Sequence, residues 1–448
     1  MSISNILNTS KQALMSHQSA IDTTSNNISN MNTEGYTRRL TNFEQGLSIN
    51  NVNSNISDET LSRVRDSFIE KQYIRQNSYA SKYEMDETIS QQIEDILGEP
   101  GNSGLTNSLS AFWESWSDLA NDPESQSVRT VVKDKAKALS RTFNRIYSDF
   151  NQLRDSIKED VSRKVNSVNQ KLEQLNKINK QLNTTKTDDL LDQRDMVLND
   201  LSELINIETS INDDGKISVY SSGQILVSEN QVQKLNVQTE QQNNNSSLKI
   251  TAGDNEYNIQ IKAGEIGSLL DINNENIPNY IDQLNTLASN LTQEVNDVHS
   301  SGYNLDDVSG INFFKDDISS AGEMDVNELI KSDPGLIAAS DKMGESGNNN
   351  IAQAINDLQN ENIIQGVAPS DFYNSLVTEI GSKVQESSYL RTSQEKVVQT
   401  LQNQRDSASG ISLDEEMINL TKYEQGYHAA AKVVNTVNEM MSTVINLI

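Results

Sequence analysis

Positions 2–31 read SISNILNTSKQALMSHQSAIDTTSNNISNM, and positions 413–448 read LDEEMINLTKYEQGYHAAAKVVNTVNEMMSTVINLI. In both stretches apolar residues recur at alternating steps of three and four, which is the 3.5-residue period of a coiled-coil seam. The first stripe consists of Ile3, Leu7, Leu14, Ile21, Ile28 and Met31. The second stripe consists of Leu413, Met417, Leu420, Tyr427, Ala431, Val434, Met441, Ile445 and Ile448. The pattern therefore predicts a long amphipathic helix at each end of the chain.

The two stripes need cover, because an isolated amphipathic helix is only marginally stable in water. They could cover each other, or they could cover the corresponding ends of neighbouring copies. An ordinary coiled coil that holds a dimer explains the periodicity equally well. We also expect residues up to about 40 and after about 410 to be disordered or loosely helical in an isolated subunit, because ordering unpaired ends costs conformational entropy.

Further helices are predicted between the two ends. A long apolar stripe runs from Phe143 to Leu182, and with the stretch from Val128 it predicts a rod of roughly 80 Å. Another stripe runs from Phe372 to Leu401, and Trp113 and Trp116 share one face of a shorter helix, where we expect them to be core residues. These helices are expected to bundle antiparallel.

The stretch 207–263 changes to two-residue alternation with turn signals between the apolar runs, which is typical of antiparallel strands. The predicted fold is mainly α, an elongated multi-domain rod of long helices. Its terminal coiled-coil helices pair on assembly, and a small antiparallel β domain is inserted at the tip of the rod. The expected division is a terminal domain (1–40 plus 411–448), a helical rod domain (41–206 plus 264–410) and an outer β domain (207–263).

The composition excludes several function classes. A formal charge of -28 disfavours binding to nucleic acid or to an anionic membrane surface. There is no cysteine, no run of apolar residues long enough to span a membrane and no visible cleaved secretion signal. The chain is therefore expected to be cytoplasmic or to leave the cell by a route that needs no cleaved signal.

No catalytic or cofactor motif is present in the sequence. The three histidines, His17, His299 and His428, lack metal-binding spacing and are expected on the surface or along a seam. Acidic pairs are numerous, as 64 acidic residues make unavoidable, and none can be singled out for acid–base chemistry. We expect no enzyme activity, no cofactor and no metal site.

Three segments resemble one family. Ser25-Asn26-Asn27-Ile28-Ser29-Asn30 followed by Thr33-Glu34-Gly35-Tyr36-Thr37-Arg38 resembles the N-terminal signature of flagellar rod, hook and hook-associated proteins. Leu413 to Val433 resembles the C-terminal signature, although Gly426 stands where a helix-favouring residue is usual, at a cost of about 1 kcal/mol. Asp189-Leu190-Leu191-Asp192-Gln193-Arg194-Asp195 is similar to an interior segment of the hook-associated members, as is the stretch 333–340.

The resemblance implies a structural subunit at the junction between hook and filament. It implies self-association around the flagellar axis, contacts with hook protein and with a second junction protein, and an export chaperone that holds the C-terminal region. It also implies secretion by type III export to the extracellular flagellum. The alternatives are another axial protein such as a distal rod or hook subunit, a flagellum-associated enzyme, or a cytoplasmic coiled-coil scaffold.

The expected assembly interface combines the two stripes with three residues of the N-terminal signature. Its members are Ile3, Leu7, Leu14, Ile21, Asn27, Ile28, Met31, Gly35, Tyr36, Leu413, Met417, Leu420, Tyr427, Ala431, Val434, Met441, Ile445 and Ile448.

Overall fold

The computed structural model describes residues 3–43, 59–98, 104–212, 215–228, 231–242, 245–253 and 257–445. Long helices dominate the described residues, which confirms the predicted mainly α class. The helices are α1 Ile3–Ser29, α2 Ser67–Leu97, α3 Leu105–Asn121, α4 Gln126–Leu182, α5 Asp188–Leu204, α6 Gly264–Asp271, α7 Ile277–Ser300, α8 Glu328–Ser332, α9 Asn350–Asp357, α10 Pro369–Ser409 and α11 Leu413–Ile445.

The first and last helices, α1 and α11, pack against each other within one chain, and we call them the terminal pair. They run antiparallel, because Asn27 of α1 lies beside Glu416 of α11 and His17 lies against Gly426. The chain itself thus supplies one partner for each terminal helix. The degree of order of these ends in a free subunit stays a prediction.

The helical rod is built around α4, a single helix of 57 residues. At 1.5 Å per residue it is about 85 Å long, which agrees with the length expected from the sequence. Its apolar stripe is buried from Val132 to Leu182, and α3 packs on its first half with Trp113 and Trp116 in the core, as predicted.

Two more long helices, α2 and α10, form the connection between the rod and the terminal pair. They are antiparallel neighbours, with Arg391 of α10 on Glu87 of α2 and Arg405 on Glu70. The apolar stripe predicted from Phe372 to Leu401, which lies on α10, is buried only in its first half. The part of α10 nearest the terminal pair packs on one side only, because α2 is its main neighbour there.

The stretch 207–263 forms two small antiparallel sheets. Strands β3 Glu208–Ile211, β4 Ile217–Ser221 and β5 Gln224–Val227 make the first. Strands β6 Leu235–Gln242, β7 Asn245–Ala252 and β8 Tyr257–Ile259 make the second. Within this stretch, residues 213–214, 229–230, 243–244 and 254–256 lie outside the described residues.

Both sheets lie beside α4 instead of extending from its tip. The Asn169 side chain donates to Leu235 O at 2.9 Å and accepts from Leu235 N at 2.8 Å. Asn179 makes the same pair of bonds with Ile217, at 2.9 and 3.3 Å. The expectation of an insertion at the tip is wrong, because the apolar sides of these strands need the apolar second half of α4 to cover them.

The region from 301 to 368 carries the short helices α8 and α9, and α9 packs against α3 and α7. His299 is buried here: its Nδ1 lies 2.7 Å from Ile311 O and its Nε2 accepts from Ala338 N–H at 2.9 Å. Burial lowers the pKa of His299 to about 4. The surface or seam position expected for this histidine is therefore wrong.

Candidate assembly site at the terminal pair

The seam of the terminal pair is made of small and polar side chains. On α11 the buried residues are Glu416, Ala430 and Val437, at multiples of seven residues. On α1 they are Ser10, Ser16, Ala20, Thr23, Thr24 and Asn27. The helices can approach closely along such a seam, but they bury little apolar surface between them.

The predicted apolar stripes lie beside this seam and not in it. Of the expected interface residues that the structure describes, only Asn27 is buried. Those that are half-buried are Ile3, Leu7, Leu14, Ile21, Ile28, Gly35, Tyr36, Leu420, Tyr427, Ala431 and Val434. Those that are exposed are Met31, Leu413, Met417, Met441 and Ile445, while Ile448 lies outside the described residues. Pairing within the chain therefore covers the two stripes only in part.

Asn27 ties the terminal pair together at the end near the rod. It is fully buried, and its Nδ2 donates to Arg39 O at 2.9 Å and to Glu416 Oε2 at 3.1 Å. Its Oδ1 accepts from Arg39 N at 3.1 Å and from the Tyr36 hydroxyl at 3.0 Å. One amide thus joins α1, the following turn and α11, and it satisfies its buried hydrogen-bonding groups while doing so.

Gly35 shapes the turn between α1 and the first strand. Its φ is +78°, which a side-chain-bearing residue rarely adopts, and a Cβ there would lie 2.4 Å from Met196 Sδ of α5. Glycine therefore suits this turn, because any other residue would strain the backbone and displace the Met196 side chain. The two strands that follow, β1 Arg39–Phe43 and β2 Glu59–Arg63, pair antiparallel and were not expected from the sequence.

A cluster of ion pairs fastens the terminal pair to the rod, and we call it the charged joint. Arg38 bonds Glu416 at 2.7 Å, and Arg39 reaches Asp189 and Asp192 of α5. The remaining pairs of the joint are Arg63 with Asp192 and Asp195 at 2.7 and 2.6 Å, Arg65 with Asp195 and with Glu70 at 2.6 Å, and Arg405 with Glu70 at 2.8 Å.

Burial makes the charged joint sensitive to loss of any one partner. Desolvation lowers the pKa of Arg63 and of Arg65, and nearby carboxylates act in the opposite direction. Burial also lowers the pKa of Arg194 to about 10, helped by repulsion from Arg63 and Arg65. All three guanidiniums stay cationic at neutral pH, so their carboxylate partners must offset the cost of removing them from water.

The joint brings together segments that the sequence singled out separately. Arg38 comes from the N-terminal signature, Asp192 and Asp195 from the interior segment, and Glu416 from the C-terminal signature. Sequence reasoning missed Arg63, Arg65, Glu70 and Arg405. The two arginines at 63 and 65 are the only local signal of the joint in the sequence, and they do not reveal which of the many carboxylates would face them.

Gly426 has a structural reason to depart from the usual pattern. A Cβ at this position would lie 2.5 Å from Cε1 and Nε2 of the His17 ring. The ring is held in place by Phe43, whose centroid is 5.9 Å away and which also contacts Tyr423 at 5.9 Å. Glycine therefore leaves room for a histidine ring in the middle of the seam.

We expect Gly426→Ala to destabilise the terminal pair although alanine is the better helix former by about 1 kcal/mol. The added methyl must displace the His17 ring from Phe43. Combining Gly426→Ala with His17→Ala should restore stability. Amide exchange in α11 should be faster in the single variant and should return toward the wild-type rate in the double variant. Equal exchange in the wild type and in the Gly426→Ala variant would refute the steric argument, and the double variant gives the coupling between the two sites.

The described residues contain no group of three or more acidic or histidine side chains placed to hold a metal ion. Within the same part of the chain, no helix combines the length and the hydrophobicity needed to cross a membrane.

The two ends of the chain match models of flagellar proteins. A model described as flagella basal body rod protein matches residues 7–37, which contain most of α1 and the Gly35 turn. A model described as the C-terminal part of flagellar basal body rod FlgEFG protein matches residues 402–447, which contain α11. These matches define the class of protein, a structural subunit of the flagellar axis and not an enzyme, and membership of the class implies self-association in that axis.

The interior of the chain matches a more specific model, described as the helical domain of flagellar hook-associated protein FlgK, over residues 90–314. The chain belongs to the FlgK family of flagellar hook-associated proteins, the structural proteins of the hook–filament junction. The resemblance carried by the three sequence segments is thereby confirmed.

Relatives that align over nearly their whole length agree with this assignment. Flagellar hook-associated protein 1 of Bacillus subtilis is 29% identical over 98% of this chain and 97% of its own length. The protein of the same name from Salmonella typhimurium is 24% identical over 99% of this chain and all of its own length. The solved structure of the flagellar hook junction protein FlgK from Burkholderia pseudomallei has a TM-score of 0.51 and 22% identity, over 55% of this chain and 46% of its own, and supports the fold alone.

Proposed function

We propose that copies of this chain assemble around the flagellar axis, at the junction between hook and filament, through the apolar flank of the terminal pair. The apolar flank is the α11 stripe that lies beside the seam, from Leu413 to Ile445. The observation that carries the proposal is that none of its described members is buried, and Met417 and Ile445 are 50% and 68% exposed.

An apolar stripe that is only partly covered favours association, because such a surface gains free energy when another molecule removes it from water. The occupant with a matching surface is a second copy of the chain. Contacts between unlike surfaces of identical subunits, repeated about an axis, generate a ring or a helical layer. The seam fixes the shape of the pair, and the flank is left free for the neighbour.

The remaining expectations form part of the same proposal. The terminal domain comprises 1–40 plus 411–448, the helical rod domain 41–206 plus 264–410, and the outer β domain 207–263.

The subunit would contact hook protein on one side and a second junction protein on the other. A chaperone would cover the C-terminal region before type III export, and the assembled protein would be extracellular. The same apolar flank that serves assembly suits a chaperone, since both must shield it from water.

The proposal is tested in a strain that lacks the gene, complemented by the wild type, by Met417→Lys or by the control Met343→Lys. Met343 is 69% exposed and lies far along the chain from the terminal pair. We expect the deletion to leave hooks without filaments and flagellin in the medium. Met417→Lys should behave like the deletion, whereas Met343→Lys should restore filaments.

Purified protein gives the matching physical measurement. Losing the burial of one methionine side chain costs about 1.5–3 kcal/mol per contact. The concentration needed for assembly should therefore rise about tenfold or more for Met417→Lys, measured by sedimentation. Filaments on intact hooks in the deletion strain would refute the junction assignment, and unchanged assembly of Met417→Lys would refute the role of the flank.

A further inference from the structure

We propose that the end of α11 from one subunit docks into a groove on the terminal pair of the next, so that neighbouring subunits meet head to tail. This inference rests on the proposed self-assembly and adds which two surfaces touch. The tip is residues 440–445. The groove has a volume of about 570 Å³ and is lined by Leu14, Met15, Gln18, Asp22, Thr23 and Tyr427, among others.

The groove offers apolar contact without a charge that lacks a partner. Met15 is 62% exposed at its rim, and Leu14 and Tyr427 are half-buried in its wall. The polar lining is already engaged: Gln18 donates to Asp22 at 3.0 Å, and the Arg39 guanidinium is held by Asp189. An apolar, uncharged occupant can therefore enter without separating an ion pair.

The tip extends past its own partner helix. Between the Asn27–Glu416 and His17–Gly426 contacts, ten residues of α1 match ten residues of α11. If this one-to-one correspondence is continued, Ile3 lies opposite Met440. The residues that follow Met440 therefore have no described part of α1 beside them. Val444 is the next member of the buried series Glu416, Ala430 and Val437, yet it is 46% exposed.

The chemistry of the tip fits the groove. Met440, Met441, Val444 and Ile445 are all exposed, and positions 440–448 contain no charged side chain. Burying these residues costs no desolvation of a charge and gains the free energy of apolar burial.

The occupant must come from another molecule. The helix α11 is continuous from Leu413 to Ile445, so Val444 lies about 25 Å along the helix from Tyr427 of its own groove. A helix cannot fold back on itself, and the groove and the tip are different surfaces of one chain. Their contact is thus heterologous, and it staggers neighbouring subunits by about 25 Å along the helix direction.

Because the sequence contains no cysteine, introduced cysteines are the only sites at which a thiol-specific cross-linker can react. Gln18→Cys and Val444→Cys are introduced together in the full chain, which is assembled at high concentration and treated with a short bis-maleimide. The control carries Gln18→Cys with Met343→Cys, both exposed but not predicted to meet. We expect a ladder of covalent oligomers from the Gln18/Val444 pair and none from the Gln18/Met343 pair.

Three outcomes are distinguishable. A ladder from the Gln18/Val444 pair that disappears when Met15→Glu is added supports head-to-tail docking. Assembly without this ladder, or cross-links only between two Val444→Cys sites, overturns the docking inference and leaves self-assembly standing. Failure of the wild-type chain to assemble under any condition overturns both proposals. Circular dichroism of each variant confirms that the helices are intact.

Discussion

Asp195→Asn is expected to destabilise the protein by about 3 kcal/mol or more, the cost of breaking a buried ion pair by removal of one partner. Asp195 is 5% exposed and faces the guanidiniums of Arg63, Arg65 and Arg194. Asparagine keeps the shape but not the charge, so one carboxylate fewer offsets the mutual repulsion of the buried Arg194 and the half-buried Arg63 and Arg65. We expect a lower urea midpoint and earlier proteolytic release of the terminal pair.

Asp189→Asn is the matched control for this prediction. Asp189 also pairs with an arginine of the charged joint, Arg39, but its side chain is 73% exposed. Solvent-exposed pairs contribute only about 0–1 kcal/mol, so this variant should resemble the wild type. Equal effects of the two substitutions would mean that the joint is not held by its buried charges.

Gly264→Ala is expected to have an effect of similar or larger size, about 4 kcal/mol or more, which places it among the rare severe substitutions. Gly264 begins α6 with a φ of +78°, and a Cβ would lie 2.5 Å from Leu204 C, Leu204 O and Ile205 N. All three atoms are backbone, so no side chain can turn away to make room. The end of α5 and the start of α6 would be forced apart, and the thermal unfolding midpoint and the soluble yield should both fall.

The control for this variant is Gly223→Ala. Gly223 has a nearly identical φ of +81°, but nothing lies within 4 Å of the position of its Cβ. It should lose only the backbone preference, about 1–2 kcal/mol. If both variants lost the same stability, the close approach of α5 and α6 would not be the cause.

The long helices were predictable from sequence because each buries one continuous apolar stripe. The stripe from Phe143 to Leu182 is the clearest case, since α4 places it against several other elements along its length. The cluster of Trp113 and Trp116 was equally clear, because a three-residue step puts both rings on one helical face.

The terminal seam was not predictable from the same kind of pattern. The apolar period at Leu413, Tyr427 and Ile445 is present in the sequence, but these side chains are half-buried or exposed and do not form the buried part of the seam. The seam itself consists of Glu416, Ala430 and Val437 on α11 and of Ala20, Asn27 and four hydroxyl residues on α1, so only three of its members are apolar and the apolar signal is weak. A stripe shows that a helix must be covered, and it does not show by which molecule.

The charged joint could not be predicted from the sequence for a different reason. With 64 acidic residues available, the partners of Arg63 and Arg65 are a matter of three-dimensional placement. Similarly, alternation predicted antiparallel strands in 207–263, but it could not divide them into two sheets or place them beside Asn169 and Asn179 of α4.

The Asn27–Glu416 hydrogen bond joins residues that are 389 positions apart in the chain. Closing so long a loop carries an entropic cost that local contacts do not, and that cost falls once the rod has brought the two ends near each other. We therefore expect the rod to form first and the contacts between α1 and α11 to form later in folding. Because the bond needs α1 and α11 together, a chain without α11 leaves the Asn27 Nδ2 without its Glu416 partner. A chain that lacks α11 is therefore expected to lack the terminal pair, and with it the apolar flank through which we propose that subunits assemble.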